Sequence, residues 1–426
     1  MSSLADRKFA ALVTQDVTLS KLVWSAITEP GDEIAGTLIA SLGAQEAVDW
    51  LLTHTDKSFL RQQVGMSAAG AQQVDKAIRR WLPRLEGLDP RRHLDNIAAL
   101  GGVVLTDEDP QWPVGLRSLG TSAPIVLWVR GCARLAHCTR TSVAMVGARA
   151  ATAYGEHVAS SWAAQLAAGG YTVVSGGAYG IDAAAHRGAL TGLGSDQGQS
   201  TDTNCLTPEH APQASACPSI AVMAGGVDRL YPPGQQALLE SLCDLGAVVA
   251  EMPPGSAPFR SRFLARNRLI AAMTTATVVV EAAMRSGALN TARRASALLR
   301  PVGAVPGPVT SMASAGCHEL LREGYATCVT EAAEVMELAS QLGTVTATRP
   351  QAPDTGQLSA DSRMDGLPDA VRRVFDALPL GRGAQASTIT RKAGCTPAEL
   401  LSALGVLEVR GLAQVNNGLW RKTSQR

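Results

Sequence analysis

Apolar residues recur three and four positions apart at 19–27, 34–42, 47–52 and 72–85, and this spacing predicts short amphipathic helices. Pro30-Gly31 breaks the first pair, and Pro83 falls at the end of the last. Two short apolar runs, 101–106 and 124–131, read as strands on either side of the turn-rich Asp109-Pro110-Gln111-Trp112-Pro113. From 141 the pattern changes to continuous apolar strands alternating with helical spacing. Strands are predicted at 142–146, 171–174, 220–223, 247–250, 277–280 and 302–305, and helices at 156–168, 182–190, 235–245, 264–273 and 291–299. Such alternation implies an α/β fold, with a largely parallel sheet covered on both faces. Residues 191–217 and 341–366 are polar and aperiodic. The first reads as a mobile surface insertion, the second as an interdomain linker. In the tail, helices are predicted at 368–378, 387–393 and 397–410, then a hairpin of 412–415 and 419–422 turning at Asn416-Asn417-Gly418.

The expected domains are therefore a helical segment at 1–98, resembling a SAM or helix-hairpin-helix domain, and an α/β domain at 99–340. After the 341–366 linker, a winged helix is expected at 367–426. In the first segment the turns hold no G-x-G, so packing is favoured there over contact with a DNA backbone.

Composition narrows the class. With 46% hydrophobic and 18% charged residues the chain is globular, and with only 4% aromatics its core rests on Ala, Val, Leu and Ile. A net charge of +1 says nothing for nucleic acid, but only six of the 38 basic residues are lysine. Of the eight cysteines no two form C-x-x-C. The closest, Cys132 and Cys138, have five residues between them, so no metal-ligand spacing is present. Reduced thiols, no apolar signal core at the amino terminus and no run of eighteen apolar residues lead us to expect a cytoplasmic protein without a membrane span.

The candidate chemistry lies where strands end. Strand 142–146 runs into Gly147-Ala148-Arg149, where backbone N–H groups and a guanidinium can face an anion. Strand 171–174 runs into Ser175-Gly176-Gly177-Ala178-Tyr179-Gly180-Ile181-Asp182, and glycines at this density admit close backbone approach. Asp182 is the expected helix N-cap, with His186 one turn on, and a structural Asp–His contact is favoured over acid–base work. Strand 220–223 runs into Ala224-Gly225-Gly226-Val227-Asp228. Three such turns on one sheet edge would make an anion-binding rim. Between Arg260 and Arg300 lie eight arginines (Arg260, Arg262, Arg266, Arg268, Arg285, Arg293, Arg294, Arg300) against one acid, Glu281, with Phe259 and Phe263 among the first of them. Arginines for phosphates beside an aromatic face suit single-stranded nucleic acid. Walker, dinucleotide, G-x-S-x-G and H-E-x-x-H motifs are all missing, so no ATPase, cofactor or hydrolase reading is supported.

These turns carry a resemblance. VGAR-x4-YG (146–155), VSGGAYGID-x3-H (174–186), AGGVDRLYP (224–232), RFLARNRLIA (262–271), VVVEAAMRSGALNTA (278–292) and AVPGP (304–308) occur in the order of the DprA/Smf family of DNA-processing proteins, and the chain resembles that family over about 140–330. The resemblance implies an extended Rossmann-like domain that binds and protects single-stranded DNA, loads the RecA recombinase in transformation or recombination, and forms homodimers. It implies no catalytic residue and no cofactor. By matching motif, Gly147, Arg149, Ser175, Gly176 and Gly177 would hold phosphates, and Phe263 would offer its ring to a base. Arg260, Arg262, Arg266, Arg268 and Asn267 would line the same pocket, Ser286, Gly287 and Thr291 its wall. Gly180, Asp182, His186, Gly225, Gly226 and Glu281 would shape it. Some positions depart from the family: Phe263-Leu264 stands for Phe-Pro, Ser286–Ala292 reads SGALNTA for SGSLITA, the 191–217 insertion is longer, and arginines replace lysines. The competing expectation is a nucleotide-binding or nucleoside-monophosphate-cleaving enzyme using Asp182, His186 and Glu281, although the P-G-G-x-G-T-x-x-E loop is missing. For the winged helix, duplex binding and protein contact stand as equal expectations.

Overall fold

Alternating side chains of the central strands face two separate cores. Val143 and Met145 of β3 (Ser142–Val146) pack on one face, Ala144 and Val146 on the other. A strand buried on both faces needs helices above and below, and those helices dictate parallel pairing. The computed structural model describes residues 13, 15–53, 68–192, 217–340, 368–379, 383–416 and 418–423. The 341–366 linker and nearly all of the 191–217 insertion lie outside these described residues. The chain divides into two compact units, one up to residue 345 and one beyond it.

In the first unit, β3 joins β1 (Val103–Thr106), β2 (Val126–Gly131), β4 (Thr172–Ser175), β5 (Ser219–Met223), β6 (Ala247–Ala250), β7 (Ala276–Val279), β8 (Val302–Ala304) and β9 (Thr327–Cys328). The order across the sheet is β1-β2-β6-β5-β4-β3-β7-β8-β9. Only the β1–β2 and β2–β6 pairs are antiparallel. This is the largely parallel α/β architecture that the sequence predicts.

Among the described residues, five helices precede the sheet: α1 (Val17–Ile27), α2 (Glu33–Leu42), α3 (Ala44–Thr53), α4 (Ala68–Leu85) and α5 (Pro90–Ala99). Asp16 and Asp32 cap α1 and α2 by accepting from N–H groups of their first turns, and Trp24 meets Trp81 edge-on at 5.2 Å. These helices and the sheet make one unit across the boundary expected at residue 98. Lys21 Nζ bonds Asp107 and Glu108 at 2.6 and 2.9 Å, and a Cβ on Gly36 would lie 1.9 Å from the Thr121 carbonyl oxygen.

Within and after the sheet run α6 (Leu135–Cys138), α7 (Ala153–Ala168), α8 (Ile181–Thr191), α9 (Gln236–Leu245), α10 (Arg260–Met273), α11 (Gly287–Ala297), α12 (Ala315–Arg322) and α13 (Ala332–Ser340). Helices α7, α8 and α13 cover the Val143 face, while α10, α11 and α12 cover the other. Among the described residues no helix is long and apolar enough to cross a membrane.

The second unit holds α14 (Asp369–Ala377), α15 (Ala386–Ala393) and α16 (Pro397–Val409), then an antiparallel hairpin of β10 (Ala413–Asn416) and β11 (Leu419–Lys422). Thr396 and Glu399 close a reciprocal capping box at the start of α16. Ala384 bridges to Trp420 as a short third strand, over a core that includes Val374, Ile389, Leu404 and Leu407.

Candidate nucleic-acid interface

The sheet order reverses direction between β3 and β7, and in open α/β sheets ligands bind outside the carboxyl ends of the strands at such a point. The turn after β3 carries Gly147 and Arg149, that after β4 carries Ser175–Gly180, and that after β5 carries Gly225 and Gly226. All three turns therefore share one edge, and Glu281 leaves β7 beside them.

The turns are packed against one another. Ala148 N–H donates to the Glu281 carbonyl at 2.7 Å, and Ile181 N–H donates to Ala148 O at 3.2 Å. A Cβ on Gly147 would meet Ile181 at 2.5 Å, and one on Gly180, at φ +73°, would meet Ala148 O at 2.3 Å. Glycine is required here because protein backbone already occupies the space. A Cβ on Gly176 would meet the Arg266 guanidinium at 2.5 Å, one on Gly225 would meet Ser256 O at 2.8 Å, and one on Gly226 would meet Asp228 and Pro253. Gly177 takes φ +69° against Leu239. The Ser175 hydroxyl points inward and donates to Met145 O at 2.6 Å.

Two expectations need correction here. Asp182 is not the N-cap of α8; Gly180 holds that position. The Asp182 carboxylate instead accepts from Gly176 N–H at 3.1 Å and Ala178 N–H at 3.3 Å, closing the glycine turn from beneath. His186 does not bond Asp182. Its Nδ1 lies 2.7 Å from Ser219 Oγ, and that hydroxyl donates to Val173 O at 2.9 Å. Ser219 is thus left to accept from a protonated Nδ1. Burial, reinforced by the charges of Arg266 and Arg187, pushes the His186 imidazole down to about 3. Burial likewise raises the Asp182 carboxyl, against the pull of Arg266 and the two N–H donors. The Glu281 carboxylate accepts from Thr152 N–H at 2.9 Å and Thr152 Oγ1 at 2.5 Å, so it fixes the start of α7 to the end of β7. Asp182, His186 and Glu281 are 7%, 0% and 2% exposed and each bonds a different partner, so they present no shared acid–base face.

The arginines on and around α10 divide into two kinds. Arg266 donates to the carbonyls of Gly176 and Val222, at the ends of β4 and β5. Its burial lowers the guanidinium to about 10, still charged at neutral pH, with Asp182 nearby favouring the charge. Arg262 makes a fork on Glu29, with Nε and Nη2 each at 2.8 Å, and also donates to Ala257 O. Arg268 Nη2 bonds Glu251 at 2.5 Å. All three side chains are buried and face protein acceptors. Asn267 ties α10 to α11 by donating to Gly287 O at 3.2 Å, Ser286 caps α11 through Ala288 N–H, and Thr291 is buried. Arg293 pairs with Glu319, Arg294 bonds Asn290, and Arg300 bonds the carbonyls of Thr274 and Gly115.

Arg149, Arg260 and Arg285 are the other kind: exposed, and paired with no carboxylate among the described residues. The Arg149 guanidinium stands 5.1 Å from the centre of the half-buried Phe263 ring, which also has Tyr231 at 5.9 Å and the Arg266 guanidinium at 6.0 Å. Phe259 lies 4.9 Å from Arg262 and is 56% exposed. Tyr154, in the first turn of α7, and Tyr179 and Tyr231, on the loops that follow β4 and β5, are three of the chain's five tyrosines and stand exposed. Local spacing does not single out these tyrosines as site residues, although their position beside each glycine turn is a signal in the sequence. Beyond Tyr154, a cleft of about 510 Å³ is lined by Thr152, Glu281, Pro306, Gly307, Pro308 and Ser311.

Comparison with known proteins points the same way. The family model for DNA recombination-mediator protein A matches residues 103–340. A DNA processing protein DprA of Mycobacterium tuberculosis is 42% identical over 408 residues, covering 93% of this chain and 92% of its own length. Protein Smf of Escherichia coli is 33% identical over 305 residues, 71% of this chain and 72% of its own. The solved structure of DprA from Streptococcus pneumoniae matches with a TM-score of 0.56 and 27% identity, over 75% of this chain and 96% of that one.

Proposed function

Because the chain belongs to the DNA recombination-mediator protein A family, the DprA/Smf proteins, we propose that it binds single-stranded DNA along the carboxyl edge of its parallel strands. The cluster of exposed Arg149 and Tyr231 on the half-buried Phe263 ring, at the carboxyl edge of the sheet, carries this reading. An unpaired base exposes a π face that an aromatic ring can cover whatever the sequence, and a duplex hides that face. Arg149, Arg260 and Arg285 supply charge for phosphates. Arg262, Arg266, Arg268, Asn267 and Thr291 act one layer deeper, holding Phe263 and the glycine turns in place. Gly147, Gly176, Gly177, Ser286 and Gly287 shape the backbone between the two layers.

Handing the strand to a RecA-type recombinase, action as a homodimer in the cytoplasm, and a winged-helix tail belong to the same proposal. The recombination-mediator description of the family supports the first, and the three helices and hairpin of the second unit support the last.

The test is fluorescence anisotropy of labelled oligo-dT and a matched duplex, across a salt series and without nucleotide or metal. Preference for the single strand, weakening steeply with salt, is the expected result. Equal affinity for both forms, or affinity indifferent to salt, would overturn the proposal.

A further inference from the structure

Two cysteines six positions apart, Cys132 and Cys138, meet a third far along the chain, Cys217, at the edge of the sheet opposite the glycine turns. Gly131 of β2 faces Ala247 of β6, and Ala247 faces Ile220 of β5. The end of β2 and the start of β5 therefore share the amino-terminal edge of the parallel strands. Cys132 follows β2 directly and is fixed by its N–H, which donates to Gly246 O at 2.7 Å. Cys217 stands two residues before β5, and Cys138 closes α6. The three Sγ atoms lie within 4.8 Å of one another, with Cys132 and Cys138 at 3.9 Å. Cys138 and Cys217 are buried, while Cys132 is half-buried and reaches solvent.

We propose that Cys132, Cys138 and Cys217 form a three-thiolate site for a zinc ion, with solvent in the fourth position on the side of Cys132. Tetrahedral zinc with Zn–S bonds of about 2.3 Å sets neighbouring sulfurs about 3.8 Å apart, close to the Cys132–Cys138 spacing. Rotation about the cysteine χ1 bonds closes the remaining separations. A donor set of sulfur alone selects thiophilic ions over magnesium or calcium. Three thiolates and one dication leave a single negative charge, and Arg134, two residues after Cys132, supplies the opposite one. Each thiol gives up its proton to solvent as the ion binds. The bound ion would clamp the end of β2 to the start of β5 across β6, far from the DNA edge, so this proposal stands independently of the DNA reading.

The test uses the full chain, reduced with a phosphine and titrated with zinc chloride. Tightly held zinc should reach one ion per chain, raise Tm, and protect Cys132, Cys138 and Cys217 from alkylation while Cys243 and Cys395 stay unprotected. Cobalt in place of zinc should give thiolate-to-cobalt charge-transfer bands that a Cys138→Ser/Cys217→Ser variant lacks. Equal alkylation of the three thiols with and without zinc would overturn the proposal, and this readout needs no variant to fold. So would equal zinc content in wild type and the Cys132→Ser/Cys138→Ser/Cys217→Ser variant, or a Cys132–Cys138 disulfide in fresh protein that takes up no zinc once reduced. Oligo-dT affinity, unchanged by zinc in every case, reports separately on the DNA edge.

Discussion

A guanidinium carries five N–H donors in a fixed fork, so what those donors face decides what the arginine can do. Arg266 faces the carbonyls of Gly176 and Val222 inside the protein. Arg149 faces solvent above a ring. Arg266→Met would leave two buried carbonyls without their donor and the Asp182 carboxylate without its neighbouring positive charge, at a cost of about 3–5 kcal/mol for an unpaired buried charge. Urea denaturation should show that loss. Arg149→Ala should stay within about 0.5 kcal/mol of wild type in the same measurement, as surface changes do. Its effect belongs in binding, where losing one phosphate contact on a single strand lowers the salt slope by about 0.7. An Arg149→Ala variant with an unchanged slope would remove that residue from the interface. Phe263→Ala should weaken oligo-dT binding by about 1–3 kcal/mol with the salt slope kept, because stacking releases no counterions. His186 adds a pH signature. Its folded value of about 3 lies below the ordinary 6.5, so the unfolded chain binds the extra proton between those limits. Stability contributed by the neutral imidazole is complete above pH 6.5 and falls as pH drops towards 3, by up to about 1.4 kcal/mol per pH unit. In His186→Asn, stability measured between pH 6.5 and 4 should fall less steeply than in wild type.

At the scale of elements, α10 is a helix with three of its four arginines, Arg262, Arg266 and Arg268, pointing inward. Glu29 in the turn between α1 and α2 grips Arg262, while Glu251 after β6 grips both Arg268 and the Gly31 N–H. Burial works against the Glu29 charge, but the hydrogen bonds from Arg262 and Arg84 hold its carboxyl below the usual range. The helical layer thus braces the helix that carries Phe263. Glu29→Ala should raise hydrogen exchange in the first turn of α10 and lower oligo-dT affinity together. Unchanged exchange there would mean that Glu29 does not brace the site. This arrangement also marks where the sequence stopped being legible. Strand ends, glycine turns and Phe263 were readable from local spacing. The neutralisation of the arginine run was not, because Glu29 lies 233 positions from Arg262 and local charge counting cannot see it. For the same reason we expected the helix to begin at 264, whereas it begins at Arg260: buried arginines interrupt the apolar period that marks a helix face. Helix α5 escaped notice because it buries only Pro90 and Ile97, although Asp89 followed by proline was a valid start signal. The cysteine cluster was invisible to spacing because it is assembled by strand register.

Across the whole molecule, a net charge of +1 hides an uneven distribution, and the tail holds nine Lys or Arg against four Asp or Glu. That count alone would favour duplex binding by the second unit. The placement of the charges argues otherwise. In the winged helix proposed for this unit, the last helix before the hairpin would enter the major groove, and that helix is α16. Its exposed positions include Glu399, Leu401, Val406 and Glu408, and it has no basic residue before Arg410 at its end. Two carboxylates facing phosphates would repel, and exposed leucine and valine match neither phosphates nor base-edge donors. An apolar patch of this kind suits a protein surface better. Four of the nine basic residues sit instead at Arg391 and Lys392 in the last turn of α15 and at Arg421 and Lys422 in the hairpin, where they also favour solubility. A chain ending at residue 340 should therefore keep both its single-strand and its duplex affinity within about twofold, a difference of roughly 0.4 kcal/mol. Anisotropy with the two oligonucleotides, full chain beside truncation, checks this. If only duplex binding collapses in the truncation, the hairpin and α15 charges engage DNA directly and α16 is not the recognition element. If single-strand binding collapses too, the Arg149–Phe263–Tyr231 edge is insufficient alone and the tail supplies part of the strand's path.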